Sequence, residues 1–155
     1  MRTRKTSTQA AVGRRQSTTD LKALLEAHLD ALNGRDLDRL VSFYAEDAVL
    51  EFPASPKAEG VARIRQAFQS FFAQWDETST YRTIVVSNNT AGVEGSSRGR
   101  HRTLHLRIPG RITAGSREYR HDFAMFLEVS GGKIRRHRVY FDARDLVKQL
   151  LGGLR

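Results

Sequence analysis

The chain is predicted to be an α+β domain, with helices laid on one face of an antiparallel sheet. Three observations carry that prediction. Helical spacing of apolar residues is confined to the first half and to a short closing segment. From Tyr81 onward the period becomes two. Gly131-Gly132 then joins two alternating segments in the manner of a tight hairpin.

Thr18, Thr19 and Asp20 offer caps for a first helix over 20–33, and Gly34 stands where a C-terminal glycine belongs. Its stripe is Leu21, Leu25, His28 and Leu32, three core residues and one histidine. Asp36 can cap a second, shorter helix with Leu37, Leu40, Val41 and Tyr44 on its buried side. A strand follows over about 48–52 and ends at the loop of Pro53 and Pro56. After Gly60, residues Val61, Ile64, Phe68, Phe71, Phe72 and Trp75 fall at helical spacing. YRTIVVSN and RHRTLHLRI read as strands, and EYRHDFAMFLEV and KIRRHRVYFD as the two arms of the hairpin. ARDLVKQLL is a last short helix stopping at Gly152-Gly153. Between Asn88 and Arg120, glycine and serine blur the strand limits.

The 155 residues suffice for one domain with a real core, and 39% hydrophobic with 28% charged residues is a globular balance. No apolar run is long enough for a membrane span, and no apolar region of a secretory signal follows the basic start. With no cysteine, disulfides and thiolate chemistry are excluded, and a cytoplasmic location is expected. The net charge is +9, and residues 1–19 hold Arg2, Arg4, Lys5, Arg14 and Arg15 with no acid. That segment reads as a disordered basic tail preceding a domain over 20–155. Arginines crowd again at Arg98, Arg100, Arg102, Arg107, Arg111, Arg117 and Arg120. They could meet phosphates, but no aromatic residue is interleaved between 98 and 118, which argues against a nucleic-acid partner. Solvated strand faces are the simpler reading.

The segments ALNGRDLDRLVSFYAEDAVLEF and FLEVSGGKIRRHRVYFDARDLVKQL, in this order, resemble the SnoaL-like and ketosteroid-isomerase-like families. Over residues 20–152 the resemblance implies the cone-shaped nuclear transport factor 2-like fold, with N-terminal helices packed on a curved sheet. It further implies an apolar pocket between sheet and helices, and a homodimer. It does not imply one chemistry, because this fold hosts isomerases, cyclases, epoxide hydrolases, dehydratases and non-catalytic domains. By the same resemblance, His28 stands where ketosteroid isomerase has its oxyanion-hole tyrosine, and Tyr44 where some members have a second tyrosine bonded to the first. Phe52 replaces the general-base aspartate, and neither Ala124 nor Met125 can supply the second acid. Val139 stands where epoxide hydrolases and SnoaL-type cyclases carry an aspartate three residues before the one closing the strand, here Asp142. Proton chemistry must then fall to histidine.

Alternation, with a bulge near the hairpin, puts His137, Val139 and Phe141 on the concave face, and His121 beside Phe123 and Met125. The expected pocket is lined by Phe52, Phe68, Phe123, Met125, Val139 and Phe141, with His28, Tyr44, His121 and His137 as its polar points. His28, Tyr44 and His137 are the candidate acid–base residues, and His121 is expected to be held at the strand's mouth by Asp122. No cofactor and no metal are expected. His101 and His105 would lie about 13 Å apart on a strand, too far to share an ion. The expected ligand is a hydrophobic small molecule, and the expected reaction is isomerisation, cyclisation, dehydration or hydrolysis. The alternative is a non-catalytic ligand-binding or dimeric interaction domain that meets an acidic partner.

Overall fold

The computed structural model describes residues 17–102, 105–108, 111–114 and 117–151. The basic tail, apart from its last residues, and the Gly152-Gly153 stop lie outside them. Helix α1 (Thr18–Asn33) starts earlier than its stripe predicted because Ser17, not Thr18 to Asp20, is the cap. The Ser17 hydroxyl accepts from the Asp20 amide while the Asp20 carboxylate accepts from the Ser17 amide. Gly34 ends the helix in a right-handed conformation, and it is Arg35 that takes the positive φ of 56°. Asp36 caps α2 (Leu37–Ser42) as expected. Tyr44, expected on that helix, instead opens strand β1 (Tyr44–Glu51). A two-residue strand β2 (Ala58–Glu59) precedes α3 (Val61–Gln74), so Trp75 belongs to the next strand rather than to the helix.

The main sheet runs in the order β2-β1-β8-β7-β4-β3, completed by β3 (Trp75–Ser87), β4 (Thr90–His101), β7 (Glu118–Ser130) and β8 (Lys133–Phe141). All neighbours are antiparallel except β1 and β8, which run parallel because β1 arrives from the helices and β8 from the hairpin. A separate hairpin pairs β5 (His105–Ile108) with β6 (Arg111–Ala114), so the expected strand RHRTLHLRI is split. Helix α4 (Ala143–Leu151) closes the described chain. No helix among the described residues is long and apolar enough to cross a membrane.

Two bulges set which side chains face the helices. In β8, Val129 pairs with Ile134 but Glu128 pairs with Arg136, which leaves Arg135 as an extra residue. The bulge turns Ile134 and His137 inward together although two residues lie between them, a spacing that puts side chains on opposite faces of a regular strand. In β3, Tyr81 pairs with Gly95 and Thr83 with Glu94, so Arg82 is extra. Glu77, Ser79 and Tyr81 share the inner side before it, and Ile84 and Val86 after it. Strand β4 has few apolar residues because its partners come too close for them. A side chain at Gly95 would strike the Thr80 carbonyl and the Phe123 ring. The core lies between this inner face and α1 and α3, with Leu21, Leu25, Leu40, Leu50, Ile64, Leu127 and Ile134 at its centre.

Candidate functional site

His28 and His137, one from α1 and one from β8, are buried to 1% and 3% exposure with Tyr44 between them. The Tyr44 hydroxyl lies 3.0 Å from His28 Nε2 and 2.8 Å from His137 Nδ1. Beyond His28, the Tyr81 hydroxyl is 3.3 Å from Nδ1; beyond His137, the Met125 Sδ is 3.3 Å from Nε2. The five side chains thus form one hydrogen-bonded file.

Its direction follows from the last member. A thioether sulfur only accepts, so His137 carries its proton on Nε2 and leaves Nδ1 as an acceptor. The single Tyr44 proton is then donated to His137 Nδ1, and the Tyr44 oxygen must accept from His28 Nε2–H. His28 Nδ1 is left as an acceptor, to which the Tyr81 hydroxyl donates. Both imidazoles are therefore neutral, and each carries its proton on Nε2.

Burial favours the same state. It lowers His28 from 6.5 to about 4, and it lowers His137 well below the usual imidazole value, helped by the nearby His28. The hydroxyls of Tyr44 and Tyr81 are raised by burial, so both stay protonated. The file is a set of neutral groups with room for a proton to be passed along it.

The expected lining residues divide between two places. Phe68 and Met125 are buried against the file, Phe68 with its ring 5.9 Å from that of Tyr44. Phe52, Val139 and Phe141 line a cleft of about 320 Å³ together with Glu51, Pro53, Arg138 and Tyr140. The cleft opens where β1 stops at Glu51 and leaves the last residues of β8 without a strand neighbour on that side among the described residues. Phe52 also reaches the file, its ring centroid 6.4 Å from that of His137. One phenyl ring separates the cleft from the histidine.

Phe123 packs between the file and a second polar cluster, its ring 6.2 Å from Tyr81 and 6.5 Å from His121. His121 shares the inner face as expected, but its carboxylate partner is not Asp122. The Asp122 side chain is bonded to Arg82 at 3.1 Å, and only its main-chain oxygen meets His121 Nδ1, at 3.4 Å. The carboxylate at His121 Nε2 is that of Glu77, 3.6 Å away. Neighbouring residues on a strand point to opposite faces, which is why Asp122 could not turn inward.

Two members of these clusters, Tyr81 and Glu77, had no place in the sequence reading. By its period Tyr81 marks only the start of a strand. Extending that strand backward by its own alternation puts Ser79 and Glu77 on the Tyr81 side, and that signal was available.

A helical layer over a six-stranded, largely antiparallel sheet is the architecture of nuclear transport factor 2-like proteins. The chain belongs to the SnoaL-like domain family, whose model matches residues 25–137. Among solved structures it is similar to a candidate polyketide cyclase from Xanthomonas campestris pv. campestris, at 24% identity and TM-score 0.72, covering 85% of this chain and 97% of that one. It is similar to an epoxide hydrolase of the LEH-like type from M. tuberculosis, at 23% identity and TM-score 0.69, covering 88% and 93%. A Catenulispora acidiphila protein with a ketosteroid isomerase-like fold, in complex with trimethylamine, matches at 16% identity and TM-score 0.68, covering 82% and 91%. At these identities the likeness is one of fold. No curated protein matches the chain in sequence.

Proposed function

We propose that the chain is an acid–base enzyme for a hydrophobic small molecule, acting as an isomerase, cyclase, dehydratase or hydrolase. The observation that carries this reading is the buried, neutral file Tyr81–His28–Tyr44–His137, one ring away from an apolar cleft. His137 presents Nε2–H, which can pass its proton to a ligand oxygen that takes the place of Met125 Sδ, and Tyr44, His28 and Tyr81 in turn resupply the ring through Nδ1. An apolar molecule displacing the Phe52 ring would bring its reacting atom to His137, with His28 and Tyr44 behind it. The trimethylamine held by the Catenulispora protein supports the use of this fold for small ligands.

The test is extraction of the purified full chain with organic solvent and identification of the bound compound by mass spectrometry. The expected result is an apolar compound bearing a carbonyl or hydroxyl group, chemically altered on incubation with the wild type and unaltered with His137→Gln. A compound bound and left unaltered by both would overturn the enzymatic reading.

A second reading has its own observation. Every ring nitrogen of His28 and His137 already has a protein partner, as in a satisfied core. Under that reading the domain binds a ligand or an acidic partner without turnover, and His28→Gln changes stability alone.

A further inference from the structure

Glu77 is a carboxylate on the inner face of the sheet, with its side chain only 13% exposed and that of His121 9% exposed. Such a group demands partners, and several are supplied. The Tyr119 hydroxyl donates to Glu77 Oε2 at 2.5 Å, the same oxygen that faces His121 Nε2. The Ser79 hydroxyl donates to Oε1 at 3.4 Å and lies 2.8 Å from the Ser97 hydroxyl. Burial pushes the Glu77 carboxyl up, but the hydrogen bonds from His121 and Tyr119 and the charge of His121 outweigh it. The net result lies below the ordinary carboxylate value, so Glu77 is an anion.

The geometry around His121 differs from that of the neutral file. Both of its nitrogens face oxygens that only accept, the Glu77 carboxylate and the Asp122 main-chain carbonyl. Both contacts are attractive only when each nitrogen carries a proton, one as an ion pair and the other as a hydrogen bond. The partner of Nδ1 is an uncharged carbonyl at 3.4 Å, whereas that of Nε2 is a carboxylate, so Nδ1–H is the donor a ligand can take over. The ring is fixed by stacking on Tyr119, at 5.8 Å, and lies 4.8 Å from Phe141, which lines the cleft. Phe141 thus stands to His121 as Phe52 stands to His137.

We propose that Glu77 and His121 form a second proton-transfer site behind Phe141, one ring away from the cleft, which receives a neutral carbonyl or hydroxyl oxygen of an apolar ligand at His121 Nδ1. The proposal rests on the reading of the cleft as a ligand site. Glu77 already balances the imidazolium charge, so an uncharged oxygen is favoured over a carboxylate. In the transfer, the Nδ1–H bond breaks and the electron pair stays on the nitrogen. The proton forms an O–H bond with a lone pair of the ligand oxygen, leaving neutral His121 beside ionised Glu77. The same proton returns to Nδ1 before the ligand leaves, so the ligand departs uncharged and His121 is restored as the donor. Tyr119 is a positioning residue that holds the Glu77 carboxylate in line. With the neutral N–H of His137 one ring from the cleft on one side and the charged N–H of His121 one ring from it on the other, the arrangement suits a ligand with an oxygen function near each end.

The probe is 4-nitrophenol, an aromatic ring bearing one hydroxyl and a nitro group that makes its ionisation visible, titrated into the full chain labelled with nitrogen-15. The histidine ring resonances of His121 are expected to move saturably, and the phenolate absorbance to fall as the neutral phenol is taken up. Glu77→Gln, nearly isosteric, is expected to weaken binding about tenfold or more, as loss of a charged hydrogen-bond partner does. Glu77→Asp is expected to recover part of it. Tyr119→Phe is expected to displace the His121 resonances before any probe is added. Movement of the His28 and His137 signals with His121 unmoved would overturn this site while leaving the cleft as a ligand site. No movement of any histidine signal would count against both. Rising phenolate absorbance would overturn the assignment to a neutral oxygen. The wild-type titration needs no variant, so it decides even if a substitution impairs folding.

Discussion

At the scale of single residues, Tyr44 is the hinge of the file, because one hydroxyl serves both histidines. Tyr44→Phe leaves two buried imidazole nitrogens without partners and is expected to cost about 2–4 kcal/mol, measured by urea unfolding. Met125→Leu keeps the volume but removes the acceptor that orders the file. It is expected to change the tautomer of His137, read from its ring nitrogen-15 shifts, with a smaller loss of stability. Acidity should act on the same residues. The folded pKa of His28 is about 4 against 6.5 in the unfolded chain, so between those values the unfolded state binds more protons. Stability from this group is complete above about pH 6.5 and is lost as the pH falls towards 4, by about 3 kcal/mol in total. His137 acts in the same direction. Urea midpoints at pH 7 and pH 4.5 check this, and a slope that survives His28→Gln and His137→Gln unchanged would disprove it. The histidine on the first helix was legible as out of place on an apolar stripe. Its bonds to Tyr44 and Tyr81 were not both legible, because Tyr81 is brought in by a strand across the sheet, 53 residues away.

At the scale of elements, the readable ones carried a strong period: α1, α3, α4 and the β7–β8 hairpin, whose Gly131 and Gly132 both take positive φ. Strand β4 was hidden for a physical reason. Its sequence AGVEGSSRGR is shaped by close approach of β3 and Phe123, which excludes the branched and aromatic side chains that mark strands. Gly95→Ala is therefore expected to destabilise the protein by about 1–3 kcal/mol, measured by thermal unfolding, although alanine is the better residue in an isolated strand. Helix α4 is fastened where β8 ends. Gln149 bonds both the amide and the carbonyl of Arg120, at 2.9 and 2.8 Å, taking the place of the missing strand. Gln149→Ala is expected to raise amide exchange at Arg120 and along α4 without affecting β4. The sequence period placed this helix correctly, but a single glutamine pairing with a strand edge leaves no periodic trace.

At the scale of the whole molecule, the outer face of the sheet carries Tyr140, Phe126 and Val85, 51%, 43% and 62% exposed. Phe126 and Tyr140 stack edge to face at 6.2 Å, and the bare Gly92 lies between Phe126 and Val85. A band of this kind suits pairing with a second copy, so Phe126→Glu is expected to reduce the mass in sedimentation if the chain is a homodimer. The same mass for the wild type and the variant would remove that surface from consideration.

The parallel pairing of β1 with β8 has a consequence for how the chain comes into being. Tyr44 and His137 are 93 residues apart, and the strands that carry them are joined only after everything between has been made. On the ribosome, Tyr44 must wait for the last strand, and β1 meanwhile has an open edge on that side. Closing so long a loop is slow, so the acid–base file is expected to be among the last features to form. A chain halted before Lys133 should therefore engage chaperones more than the finished protein does, through an unpaired edge that the completed sheet covers.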